Sequence, residues 1–116
     1  GCGYKESVMI KQYELGETVD TVALVKTQPS NPNAGQVYTN TASGCLIYIV
    51  SPSGTVLVNG SAMTNETTGT YRYSYTIPTT GNVGRYLVQV LADDTGDTIV
   101  ETHFDVIPQK RTTYPN

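Results

Sequence analysis

The chain has 116 residues, enough for one small domain, and its 7 Lys and Arg against 10 Asp and Glu give a formal net charge of −3. This balance contains no basic block for nucleic acid, no run of apolar residues long enough for a membrane helix, and too much apolar content for a disordered tail. Thr, Val, Tyr and Ile supply 46 of the residues, a β-sheet composition, whereas one His and two Cys cannot complete a four-ligand zinc site without carboxylates.

Seven strands are expected, punctuated by Gly, Pro and Asn. The first covers Val8–Tyr13 and turns at Leu15-Gly16-Glu17. The second is Thr18–Lys26. A long polar stretch, Thr27–Gly44, follows, with Pro29, Pro32 and Gly35 in it. The third strand is Cys45–Val50, closed by Ser51-Pro52-Ser53-Gly54, a β-turn with Pro at its second place. A short fourth strand, Thr55–Val58, leads to the turn dipeptide Asn59-Gly60. The fifth strand is Thr70–Ile77, stopped by Pro78. The sixth is Arg85–Ala92, followed by the acidic hairpin loop Asp93-Asp94-Thr95-Gly96-Asp97. The seventh is Thr98–Ile107, ended by Pro108, and residues 109–116 form a loose tail. Helical periodicity is nowhere sustained. The chain is therefore expected to be a single domain over 1–116, with its core within about residues 8–107.

Alternation assigns the faces. Tyr71, Tyr73, Tyr75 and Ile77 share one side of the fifth strand, and Arg72, Ser74 and Thr76 share the other. The tyrosine side is the core side. Tyr86, Val88, Val90 and Ala92 point inward from the sixth strand, and Val100, Phe104 and Val106 from the seventh. Glu101, His103 and Asp105 then face water. Two antiparallel sheets packed face to face satisfy this pattern.

Gly84-Arg85-Tyr86-Leu87-Val88, after Pro78 and a Gly-containing corner, resembles the tyrosine corner of immunoglobulin-like domains. Antibody domains carry Cys two places after that tyrosine, where this chain has Val88, and no Trp is present for the third strand. A wider likeness runs from Tyr13 to Ile107. Its parts are Leu15-Gly16-Glu17-Thr18-Val19, Ile47 to Gly54, Met63-Thr64, Thr68-Gly69-Thr70-Tyr71-Arg72-Tyr73, Gly84-Arg85-Tyr86 and Phe104-Asp105-Val106. These are similar to the disulfide-free immunoglobulin-like proteins of bacterial and archaeal surfaces and of tailed-virus virion gene clusters. The resemblance implies a single immunoglobulin-like β-sandwich, Tyr86 as its structural corner, and a structural or adhesive role. Function still has to be argued from a site.

Few residues offer chemistry. His103 lies two places from Glu101 and from Asp105, a pattern that a solvated face explains better than a metal site. Asp93, Asp94 and Asp97 lack the ligand order of an EF-hand, and a solvated hairpin tip accounts for them. Asn59-Gly60-Ser61 and Asn65-Glu66-Thr67 match glycosylation acceptors, a pattern that Asn- and Thr-rich chains produce by chance. Tyr38 and Tyr48 are the tyrosines expected to be available to a partner. Cys2 and Cys45 leave two states open. A bridge fits an oxidising compartment and free thiols fit assembly in the cytosol; a domain of this size needs no staple, so free thiols are expected. Residues 1–20 contain no apolar core of a signal peptide.

The informative anomaly is apolar and faces outward. With Cys45, Ile47 and Ile49 inward, Leu46, Tyr48 and Val50 face out. With Tyr86, Val88 and Val90 inward, Leu87 and Leu91 face out. In an immunoglobulin-like sheet these strands are neighbours, so the five side chains form one patch bordered by Glu101 and His103. The competing expectation is that residues 27–44 fold over it. The expected function is non-enzymatic: a protein-interaction module, as a second copy or within a larger assembly, with no cofactor, metal, nucleic acid or membrane. The resemblance favours a virion component of a tailed virus, head-decorating, neck or tail-associated. The alternative is a secreted or cell-surface adhesion domain that binds glycan or protein.

Overall fold

Alternating apolar residues with Gly and Pro between them produce an all-β sandwich. The structure, a computed structural model, describes residues 11–27 and 35–109. Among these, eight strands form two sheets and no helix appears. They are β1 (Gln12–Glu14), β2 (Thr18–Leu24), β3 (Cys45–Val50), β4 (Val56–Ala62), β5 (Thr64–Thr67), β6 (Thr70–Thr76), β7 (Gly84–Ala92) and β8 (Thr98–Ile107). One sheet has the order β1-β8-β7-β3-β4, the other β2-β6-β5. β1 and β4 are the edge strands of the larger sheet, and β2 and β5 those of the smaller.

The core is the inner face of both sheets. Ile47, Ile49, Val88, Val90, Phe104 and Val106 meet Val19, Ala23, Tyr71 and Ile77, all buried. Tyr73 and Tyr75 are half-buried against this cluster, as the alternation in β6 predicts. Phe104 stacks on Tyr86 with ring centroids 5.0 Å apart and meets Tyr13 edge-on at 5.7 Å. Such ring pairs add to the area they bury.

Three features differ from expectation. All pairings are antiparallel except β1 with β8, which is parallel. Of the expected first strand Val8–Tyr13, β1 covers Gln12 and Tyr13 and continues to Glu14, and Val8–Ile10 lie outside the described residues. Asn59-Gly60 is not a turn: β4 runs through it. Ile47 pairs with Ser61 and Tyr48 with Asn59, so Gly60 is the extra residue of a bulge at φ +75°. A Cβ at Gly60 would stand 3.0 Å from the Tyr48 hydroxyl, so glycine also makes room for that ring. The strand beyond the seven expected, β5, is exposed along its whole length, and its residues show no alternation from which to infer it.

Tyr86 is buried and its hydroxyl donates to the Asn82 carbonyl at 2.6 Å. Burial raises its pKa, and the bond to Asn82 partly offsets this. Tyr86→Phe keeps the ring and removes the bond; chemical denaturation should show a loss of about 1 kcal/mol. An unchanged midpoint would mean that the hydroxyl contributes nothing to holding the corner.

Candidate functional site

The outer face of the five-stranded sheet is built by register. Leu46 stands opposite Leu91, Tyr48 opposite Gln89, and Val50 opposite Leu87. Across the next ladder Leu87 faces His103, Gln89 faces Glu101 and Arg85 faces Asp105. Leu46, Tyr48, Val50, Leu87, Leu91 and His103 therefore do lie on one sheet surface. They are not one continuous patch. The row Tyr48–Gln89–Glu101 separates Leu46–Leu91 from Val50–Leu87–His103.

The second row is the more exposed. Leu87 is 54% exposed, whereas Leu46, Val50, Leu91 and His103 are half-buried. Val56 of β4, opposite Val50 and 51% exposed, extends this row by one strand. The sequence reading missed it, although its place in an apolar run beside Leu57 was a usable signal. A shallow depression of ≈ 280 Å³ lies beside it, lined by Tyr48, Val50, Leu87, Gln89 and Glu101 among others. Tyr48 is half-buried because its ring lies against Gly60, so it offers less surface than expected.

Two of the charges on this face neutralise each other. Arg85 grips Asp105 with Nε to Oδ1 at 3.0 Å and Nη2 to Oδ2 at 3.3 Å. The guanidinium holds the Asp105 carboxyl below its ordinary range, and His103 adds to this in the same direction. A carboxylate paired in this way approaches an apolar partner at less cost than a lone one.

The described part of the long loop does not cover the face. Thr27 N donates to the Val37 carbonyl, and Thr39 N to the Val25 carbonyl. Asn40 Oδ1 accepts from Gly69 N at 2.7 Å, and Thr41 N donates to the Tyr71 hydroxyl at 3.1 Å. Residues 35–41 are thereby held beside β2 and the β5–β6 turn, at the smaller sheet. Gly69 is needed there: it has φ +76°, and a Cβ would stand 2.7 Å from the Val25 carbonyl. Residues 28–34 of the loop lie outside the described residues.

The remaining candidates have structural explanations. Asn65 donates from Nδ2 to Asn40 Oδ1 and to the carbonyls of Thr67 and Thr70, which ties up its amide. Asn59 is exposed. Cys45 is a buried free thiol whose pKa is raised by desolvation, and Cys2 lies outside the described residues. Tyr38 is 47% exposed, with Lys26 Nζ 5.2 Å from its ring centroid. Among the described residues no three His, Cys, Asp or Glu side chains gather to hold a metal ion. No family model matches the chain, and no curated protein matches it significantly.

Proposed function

We propose that the protein is a non-enzymatic structural module of the disulfide-free immunoglobulin-like class that associates with a second copy of itself through the outer face of the five-stranded sheet. The observation that carries this reading is the exposed row Val56–Val50–Leu87, left uncovered by the described loop residues. A contiguous apolar patch on a sheet marks an interaction surface more often than isolated apolar residues do. A second copy is the favoured occupant because the row Val56–Val50–Leu87 is apolar and Arg85 and Asp105, in the row next to it, already neutralise each other. Two such faces can meet without burying an unpaired charge from that pair. The width of the row, about three strands at ~4.8 Å spacing, places the contact at the small end of protein interfaces and makes the association weak.

The setting we favour is a virion of a tailed virus, as a head-decorating, neck or tail-associated part, where many copies raise the local concentration and weak contacts act together. Its support is the sequence resemblance. The second reading is a secreted or cell-surface adhesion domain, favoured by the exposed Tyr38 ring beside Lys26 at the loop end. Native mass measured across a concentration series tests self-association: a growing dimer fraction supports it, and a monomer throughout opposes it. Neighbouring genes for capsid or tail proteins would support the virion setting, and glycan-array binding lost on Tyr38→Ala would support adhesion.

A further inference from the structure

Of the four asparagines among the described residues, Asn59 stands in a setting the others lack. It is followed by Gly60, whereas Asn40, Asn65 and Asn82 are followed by Thr41, Glu66 and Val83. The carboxamide of an asparagine can be attacked by the backbone nitrogen of the next residue, and a side chain on that residue obstructs the ring closure. Glycine has no Cβ and permits the close approach.

The fold adds to this. Ile47 stands opposite Ser61 and Tyr48 opposite Asn59, so Gly60 faces no residue of β3. A bulge disrupts the ladder and leaves its extra residue unpaired. The Asn59 side chain is exposed, and no described residue hydrogen-bonds its amide. The other asparagines differ. Asn65 Nδ2 donates to Asn40 Oδ1 and to the carbonyls of Thr67 and Thr70, and Asn40 Oδ1 also accepts from Gly69 N. Turning either carboxamide toward its own backbone breaks those bonds. Asn82 is exposed, but the β-branched side chain of Val83 follows it.

We propose that Asn59 is a site of spontaneous deamidation in the folded protein, with Gly60 N as the nucleophile and water as the only co-reactant. Gly60 N gives up its proton to water and bonds to Asn59 Cγ. The Cγ–Nδ2 bond breaks, and Nδ2 takes up a proton and leaves as ammonia. Water then opens the cyclic succinimide. Cleavage between Cγ and Gly60 N gives Asp, and cleavage between the Asn59 backbone carbonyl and Gly60 N gives isoaspartate. Nothing is oxidised or reduced. Either product carries a carboxylate where the neutral amide stood. Tyr48 faces outward and Asn59 stands opposite it, so the new charge appears on the outer face of the five-stranded sheet, in the row of Tyr48, Gln89 and Glu101.

Ageing of the full chain in warm, mildly alkaline buffer tests this. Peptide mapping by mass spectrometry follows each asparagine, and a peptide of β4, Val56–Ala62, aged alongside, is the open-chain reference. Acid should form at position 59 before positions 40, 65 and 82, as a mixture of Asp and isoaspartate. The reaction should be slower than in the peptide by no more than about 100-fold. A greater slowing overturns the proposal, because confinement to the unfolded chain slows a reaction by the folding equilibrium constant, about 1,000-fold at the least. Conversion of Asn40, Asn65 or Asn82 ahead of Asn59 also overturns it. So does Asp without isoaspartate, because direct hydrolysis of the carboxamide gives Asp alone, whereas a succinimide opens at both carbonyls.

Discussion

Leu87→Asp should abolish self-association while leaving the domain folded. Leu87 is 54% exposed and its side chain points away from the core, between Val50 on β3 and His103 on β8. A substitution there should change stability by no more than about 1 kcal/mol, most of it from the lower strand preference of Asp. At an interface the same carboxylate would be buried in the apolar row that Leu87 forms with Val50 and Val56. An unpaired buried charge costs about 3–5 kcal/mol, which is about 100-fold or more in dimer affinity. Sedimentation of wild type and variant, together with thermal unfolding, reads both effects. Loss of folding would place Leu87 in the core and invert the register of β7. Retained folding with undiminished association would move the contact elsewhere on the molecule.

Phe104→Ala should be the most damaging change to the fold. The ring is buried, stacks on Tyr86 at 5.0 Å and meets Tyr13 at 5.7 Å. Its removal loses both ring contacts and leaves a void in the core cluster beside Tyr86 and Val106. Large aromatic-to-Ala changes in a core cost about 3–5 kcal/mol, a large share of the about 5–15 kcal/mol that holds a domain together. For a domain of this size each 1 kcal/mol moves the midpoint by about 4–8 °C, so Tm should fall by more than about 12 °C. A fall of only a few degrees would show that water or a neighbouring side chain fills the site freely.

Much of this architecture is legible in the sequence, and the reasons are local. The alternation Tyr71-Arg72-Tyr73-Ser74-Tyr75 gives β6 its buried side because the period of a strand is two. Thr98–Ile107 agrees with β8 end to end, because an acidic Gly-containing loop precedes it and Pro108 follows it. Tyr86 could be placed at its corner from Gly84 and the inward Val88 and Val90.

What was not legible depends on partners distant in sequence. Asn59-Gly60 carries the signature of a hairpin turn, yet pairing with β3 extends β4 through it and leaves Gly60 as a bulge under Tyr48. Thr64–Thr67 has no buried face, so only its pairing with β6 makes it a strand. The candidate face was assembled from the correct side chains but not their rows. That Gln89 lies between Leu87 and Leu91 is plain from the chain. That Tyr48 and Glu101 flank Gln89, completing a polar row across three strands, follows only from the register.

The most direct measurement of the central claim is a concentration series of methyl-resolved ¹H–¹³C spectra on the unaltered protein. If copies meet through the five-stranded sheet, the methyls of Leu87, Val50 and Val56 shift progressively with concentration. Those of Val22 and Leu24, exposed on the other sheet, stay fixed. Shifts confined to Val22 and Leu24, or no shift in any of the five up to the solubility limit, would contradict association through this face.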